Sequence, residues 1–179
     1  FEEGCAYVNF TPSLGANSAG LHALAEELGV PHMGCDGKTG ETLLRTVLAP
    51  MFLARNFNVL SWSCFNILGN RDGEVLDEPA ANAAKSEGKD SVLSKILGDS
   101  LGTSLTRIDY VPSLQDWKTA WDFIHFEGFL GARMHLEFTW KGADSALAAP
   151  LVLDLVRLMD RAAELGKTGL QTGLAGFFK

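Results

Sequence analysis

Cysteine is scarce in this chain of 179 residues, and the three present, Cys5, Cys35 and Cys64, fit no CxxC or zinc-ligand spacing. That excludes a disulfide framework and argues against a metal centre. It predicts buried, reduced thiols and a cytoplasmic protein. Positive charge is also short: 15 Lys and Arg stand against 22 Asp and Glu, a net charge of −7. Such a balance excludes a broad nucleic-acid-binding or anionic-membrane surface and leaves only local anion sites. No apolar run approaches the roughly 20 residues needed to span a bilayer, and no signal peptide is visible. Internal repeats and low-complexity linkers are missing too. The first residue is Phe1 rather than Met, and the last three are Phe177-Phe178-Lys179. The sequence therefore reads as part of a longer protein, one domain or parts of two.

What the chain does have is a glycine-rich turn, Gly34-Cys35-Asp36-Gly37-Lys38-Thr39-Gly40-Glu41-Thr42, leading from an apolar segment into a helical one. It approaches a P-loop but fails the motif, because the glycine required five positions before Gly37 is His32. Anion chemistry survives the failure: free N–H groups and the positive end of the helix dipole converge where the helix begins. A turn capped by Asp36 or Thr39 is the alternative reading.

Residues 6–10 read as a short buried strand, followed by a helix capped by Ser18, carrying Leu21, Leu24, Ala25 and Leu28, and closed by Gly29. Residues 41–56 read as a second helix that Pro50 should kink or break. A β-rich run over 58–63 leads to a polar loop over 66–73, the kind of strand end where α/β proteins keep ligands. Residues 77–90 lack an apolar stripe, a short helix begins at Ser91, and 106–111 form a strand stopped by Pro112. Trp117, Ala120, Trp121 and Ile124 recur at helical spacing and predict a core-facing helix over 115–129. Residues 132–141 alternate as a strand with one covered face, Met134, Leu136, Phe138 and Trp140 on one side. A long helix capped by Asp144 or Ser145 follows, with Ala149, Leu153, Val156 and Leu158 along it.

Among residues able to do chemistry, the lysines are the unusual set. Lys85 and Lys89 are four apart, so on a helix they would share a face, where an anion would relieve their repulsion. Glu87 between them equally permits a solvated face. Lys118 follows Asp116 at a loop boundary, where a carboxylate could hold the ammonium. The histidines show no metal or catalytic spacing and read as structural.

In order and spacing these segments resemble myo-inositol-1-phosphate synthase of the archaeal and bacterial type, over nearly the whole chain. The resemblance is carried by Asn9-Phe10-Thr11-Pro12-Ser13, the turn Gly34 to Thr42, Asn66 to Gly73, Lys85 with Lys89, Asp116 with Lys118, Asp144 to Pro150 and Phe177-Phe178-Lys179. It implies conversion of glucose 6-phosphate to inositol phosphate with NAD that is recycled: oxidation at C5, enolisation, intramolecular aldol closure and reduction. Lys85, Lys118 and Lys179, with Asp116, would then surround the reacting carbons, where fixed ammonium groups stabilise enolate and alkoxide charge. Lys89, Thr39, Gly40, Glu41 and Thr42 would hold the phosphate, Asn66, Asn70 and Asp72 the rest of the sugar, and Asp36, Asp144 and Ser145 the nicotinamide end of NAD. No metal ligand set is implied, although a cation requirement stays open. Glu41 stands where eukaryotic relatives carry an amide, and a carboxylate there would repel phosphate unless a cation intervenes.

The implied fold is α/β: a mixed or antiparallel sheet covered by helices, as in the C-terminal domain of glyceraldehyde-3-phosphate-dehydrogenase-like enzymes, beside a remnant of a Rossmann-like NAD domain. Residues 1–35 would close the NAD domain, 36–142 form the catalytic and tetramerisation domain, and 143–179 return to the first. The family's glycine-rich dinucleotide loop has no counterpart in these residues. The partners implied are a small sugar phosphate and further copies in a homotetramer. A non-catalytic paralogue or oligomerisation module that shares the fold, or a different NAD-dependent sugar-phosphate enzyme, are the competing readings.

Overall fold

The computed structural model describes residues 1–78 and 92–179. In chain order they form β1 (Tyr7–Val8), α1 (Ala19–Glu27), β2 (Pro31–Met33), α2 (Gly40–Ala54), β3 (Asn58–Leu68), α3 (Arg71–Leu76), a helical stretch over 92–97, β4 (Leu101–Tyr110), β5 (Trp117–Glu127), β6 (Arg133–Ala143), α4 (Asp144–Glu164) and β7 (Gly169–Leu170). They make an α/β protein of two compact units: Phe1–Thr39 with Ala146–Lys179, and Gly40–Ser145. The first division falls inside the glycine-rich turn.

The first unit holds a parallel sheet in the order β1-β2-β7. Ser18 caps α1 by accepting from the Leu21 N–H, and Gly29, at φ +70°, ends it in a conformation that glycine adopts without penalty. The core of this unit joins Met33, Leu155, Met159 and Phe178. On α4 the buried residues are therefore Leu155 and Met159, whereas Leu153 and Val156 are exposed. Apolar identity marked that helix correctly but did not decide which of its stripes this unit covers.

The second unit is a four-stranded mixed sheet in the order β4-β3-β5-β6. β3 runs parallel to β4 and antiparallel to β5, and β5 is antiparallel to β6. One face carries the core, where Ala49 and Phe52 of α2 and Leu93 and Leu97 of the 92–97 stretch pack on Val59, Trp62, Ile124 and Phe126. Large side chains buried this fully contribute roughly 1.5–3 kcal/mol each. Such anchoring on both sides of Pro50 explains why α2 continues from Gly40 to Ala54 through the proline rather than ending at it.

Three further expectations are corrected. Residues 117–127 form strand β5, not a helix, and the supposed stripe divides: Ala120 and Ile124 are buried on one face, while Trp117 is exposed on the other. The supposed polar loop begins inside β3, where Asn66 is buried, and continues into α3, which Asn70 caps. Only Cys64 is a buried thiol; Cys5 is exposed and Cys35 half-buried. Ser91, Lys85 and Lys89 lie outside the described residues. No helix among the described residues is long and apolar enough to cross a membrane.

Candidate active site

The register of the second sheet gathers Asn66, Asp116, Lys118, Asp144 and Ser145 at one end. β3 and β4 both run toward that end, β5 starts there, and β6 finishes there and passes directly into α4. Leu68 and Lys118 are partners across β3 and β5, and Lys118 lies opposite Gly142, two residues before Asp144. This antiparallel pairing brings the Lys118 ammonium 3.2 Å from Asp144 Oδ2, both side chains being mostly shielded from solvent. By the same pairing the Ser145 hydroxyl donates to Asp116. Asp144 and Ser145 open the 21-residue α4, whose first N–H groups have no helical partner and whose dipole favours negative charge. Lys118 is thus a cation held by the carboxylate of the first residue of that helix.

Asn66 points to the core side of β3, where its amide donates to Cys64 Sγ at 2.9 Å. Asn70 accepts from the Gly73 N–H at 3.0 Å and fixes the start of α3, on which Asp72 is exposed. At the same sheet end the chain closes tightly: a Cβ on Gly69 would lie 2.5 Å from the Val111 carbonyl and the Gln115 N–H. Gln115, just before Asp116, takes the left-handed φ of +53°, a conformation few side chains adopt and one that clusters at functional sites.

Gly40, Glu41 and Thr42 form the first turn of α2. Gly40 is required by packing, since a Cβ there would meet Trp140 Nε1 of β6 at 2.5 Å. Glu41 turns its carboxylate inward and pairs with Arg45, one helical turn on, both fully buried. Arg45 also reaches Asp122 Oδ1 at 3.5 Å and Thr106 Oγ1 at 3.4 Å. The Trp62 indole N–H donates to the same Asp122 oxygen at 2.7 Å. Burial, and then the Glu41 charge, push the Asp122 carboxyl up from its ordinary value, and Arg45 opposes them only in part. The cation that Glu41 needs is therefore Arg45, supplied by the protein. Neither Arg45 nor Asp122 was expected from sequence. The Glu-x-x-x-Arg spacing was legible, but the helical assignment of 115–129 concealed that Asp122 shares a strand face with Lys118.

In the first unit Asp36 takes a left-handed φ of +59° and pairs with Lys179. The backbone makes this contact: the Lys38 N–H donates to Phe177 O at 2.9 Å, the Lys179 N–H donates to Asp36 O at 3.1 Å, and Gly37 bridges to Phe178. Thr39 is the last residue of that unit's first segment.

The family model described as Myo-inositol-1-phosphate synthase matches residues 40–145, the whole of the second unit. Inositol-3-phosphate synthase 1 of Bacteroides thetaiotaomicron is 40% identical over 99% of this chain and 43% of its own length. A myo-inositol-1-phosphate synthase-related protein from Thermotoga maritima superposes with a TM-score of 0.82 at 31% identity, over 94% of this chain and 44% of that one. Inositol-3-phosphate synthase from Caenorhabditis elegans does so at 0.76 and 29%, over 86% of this chain and 32% of its own. The chain spans less than half the length of these relatives. With more than half of its residues matched by the family model, the chain belongs to the myo-inositol-1-phosphate synthase family.

Proposed function

We propose that this chain is the catalytic portion of a cytoplasmic inositol-3-phosphate synthase, an isomerase that turns glucose 6-phosphate into inositol phosphate with recycled NAD. The observation that carries the reading is Lys118, held at 3.2 Å by Asp144 where β5 starts and α4 begins, within the stretch that the family model matches. A bacterial relative at 40% identity bears the name of that enzyme.

In this reading the first turn of α2, with Thr39, Gly40, Glu41 and Thr42, receives the phosphate on its main-chain N–H groups and on the Thr42 hydroxyl, and Lys89 adds a charge. Asn66, Asn70 and Asp72 contact the sugar hydroxyls. Lys118 serves the reacting carbons in this reading, as do Lys85 and Lys179. Asp144 keeps the Lys118 ammonium aimed, so that it meets enolate and alkoxide charge as each develops, which lowers the barrier without covalent chemistry. Asp116, bonded to the Ser145 hydroxyl, braces the strand that carries Lys118. Asp36 does for Lys179 what Asp144 does for Lys118. Asp144 and Ser145 together with the free N–H groups of α4 offer both donors and acceptors, the set a carboxamide requires, and so would hold the nicotinamide end of NAD. When bound, NAD supplies removal and return of hydride at the sugar.

We further propose a homotetramer, supported by the outer face of the second sheet. There Phe65, Trp121, Phe123 and His135 form a continuous row with ring centroids 5.6–6.1 Å apart, and Leu105 beside it is half exposed. Such a surface ordinarily marks an interface.

The test is Lys118→Ala in the complete protein, assayed with NAD and glucose 6-phosphate. Turnover should fall by about a hundred- to a thousandfold, the scale for losing a preorganised charge stabiliser, with the melting temperature nearly unchanged. A near-normal rate would remove Lys118 from the mechanism. A wild-type protein that makes no inositol phosphate would favour the paralogue instead.

A further inference from the structure

Glu41, Arg45 and Asp122 form a buried network that the reaction does not obviously need. Arg45 is completely buried, and one guanidinium faces two carboxylates, on α2 and on β5. Isolated buried charges cost several kcal/mol each, and even a well-made buried pair often stabilises no better than apolar side chains would. Stability alone is therefore a poor explanation for it.

Its location suggests another. Glu41 precedes Arg45 by one helical turn, the favourable orientation for such a pair, and belongs to the first turn of α2. Asp122 lies on β5 four residues after Lys118, so both side chains project from the same face of the strand, roughly 13 Å apart along it. Arg45 also touches Thr106 on β4, and its guanidinium lies 5.9 Å from the Trp62 ring of β3, whose indole N–H holds Asp122. Three neighbouring strands thus grip one side chain of α2 through directional contacts. Apolar packing would let the helix slide, but a guanidinium fork bound on several sides does not. The network also answers the repulsion problem, because the Glu41 charge is spent on Arg45 rather than on an incoming anion.

We propose that Arg45, Glu41 and Asp122 are positioning residues, which fix the first turn of α2 over β5 and so set the distance from the phosphate-holding N–H groups to Lys118. This rests on the reading of that turn as the phosphate site. Asp122 and Thr106 touch no substrate in it; they act through Arg45.

The experiment uses the complete protein carrying Asp122→Asn or Thr106→Val, near-isosteres that weaken the grip on Arg45 without emptying the core, with Thr42→Val as the control on the phosphate site. KM for glucose 6-phosphate, kcat, inhibition by inorganic phosphate and melting temperature are measured for each. Asp122→Asn should raise KM and the phosphate inhibition constant together by about tenfold and lower kcat by more than the change in melting temperature accounts for, since a misplaced binding turn also misaligns the bound sugar with Lys118. Thr106→Val should move both constants the same way by less. Unchanged KM, or kcat falling in step with the melting temperature, would show a merely structural network and overturn the proposal. If Thr42→Val weakens phosphate but Asp122→Asn and Thr106→Val do not, only the positioning idea fails. If Thr42→Val leaves phosphate inhibition untouched, the phosphate reading fails and takes the proposal with it.

Discussion

His32, which occupies the position where a P-loop would have its first glycine, is a buried core residue with its ring centroid 4.9 Å from that of His22 and 5.4 Å from that of Phe1. Burial, and then the neighbouring His22, lower its pKa from 6.5, with Glu26 pulling the other way. The native state therefore keeps this imidazole neutral at pH values where the unfolded chain protonates it. Between 6.5 and the lower native value the unfolded chain binds more protons, so stability is lost as pH falls through that window. We expect the melting temperature of the wild type to drop between about pH 7.5 and about pH 5.5 by more than that of His32→Phe. Equal drops in the two proteins would assign the pH dependence elsewhere. At this scale sequence was informative about kind and poor about partner. Lys118, Asp144 and Ser145 were all singled out, yet nothing in their numbering shows that an antiparallel register places 118 beside 144.

At the scale of elements, β5 is the instructive case. It is an inner strand, flanked by β3 and β6, with Ala120 and Ile124 buried on one face and Trp121 and Phe123 half-buried on the other. A strand apolar on both faces loses the period of two, and four of its residues then satisfy helical spacing by accident. Its wealth of aromatic and β-branched residues was the better signal. β6, an edge strand, kept its alternation and was read correctly from sequence. The junction of α2 with β6 turns on Gly40, which gives Trp140 room. Gly40→Ala should cost about 1–3 kcal/mol in denaturant unfolding, the usual range for overpacking, and Trp140→Phe added to it should recover most of that loss. No recovery in the double variant would mean that Trp140 is not the obstacle.

At the scale of the whole molecule, the open aromatic face of the second sheet carries the assembly proposal. Phe123 stands in the middle of the row, between Trp121 and His135. A charge placed there meets a desolvated surface if copies pack on it, and water if they do not. Phe123→Glu should therefore lower the oligomer mass of the complete protein in light scattering at micromolar concentration and leave its circular dichroism unchanged. Persistence of the tetramer would move the interface elsewhere.

The sequence by itself determined the chemistry available and most of the local structure: an acidic α/β protein with few thiols, a glycine-rich turn opening a helix, a capped α1, an alternating β6 and a set of lysines near carboxylates. These are properties of neighbours in the chain, where residue type, spacing and backbone preference act directly. Only tertiary structure decided that Glu41 faces Arg45 and Asp122 rather than solvent, that Asp144 belongs to Lys118, and that α4 buries Leu155 and Met159 in the first unit. Each of those depends on strand register, or on which helix face meets a core. A one-residue change of register would send the side chains of β5 to the opposite face, and no local pattern reveals it in a strand that is apolar on both sides.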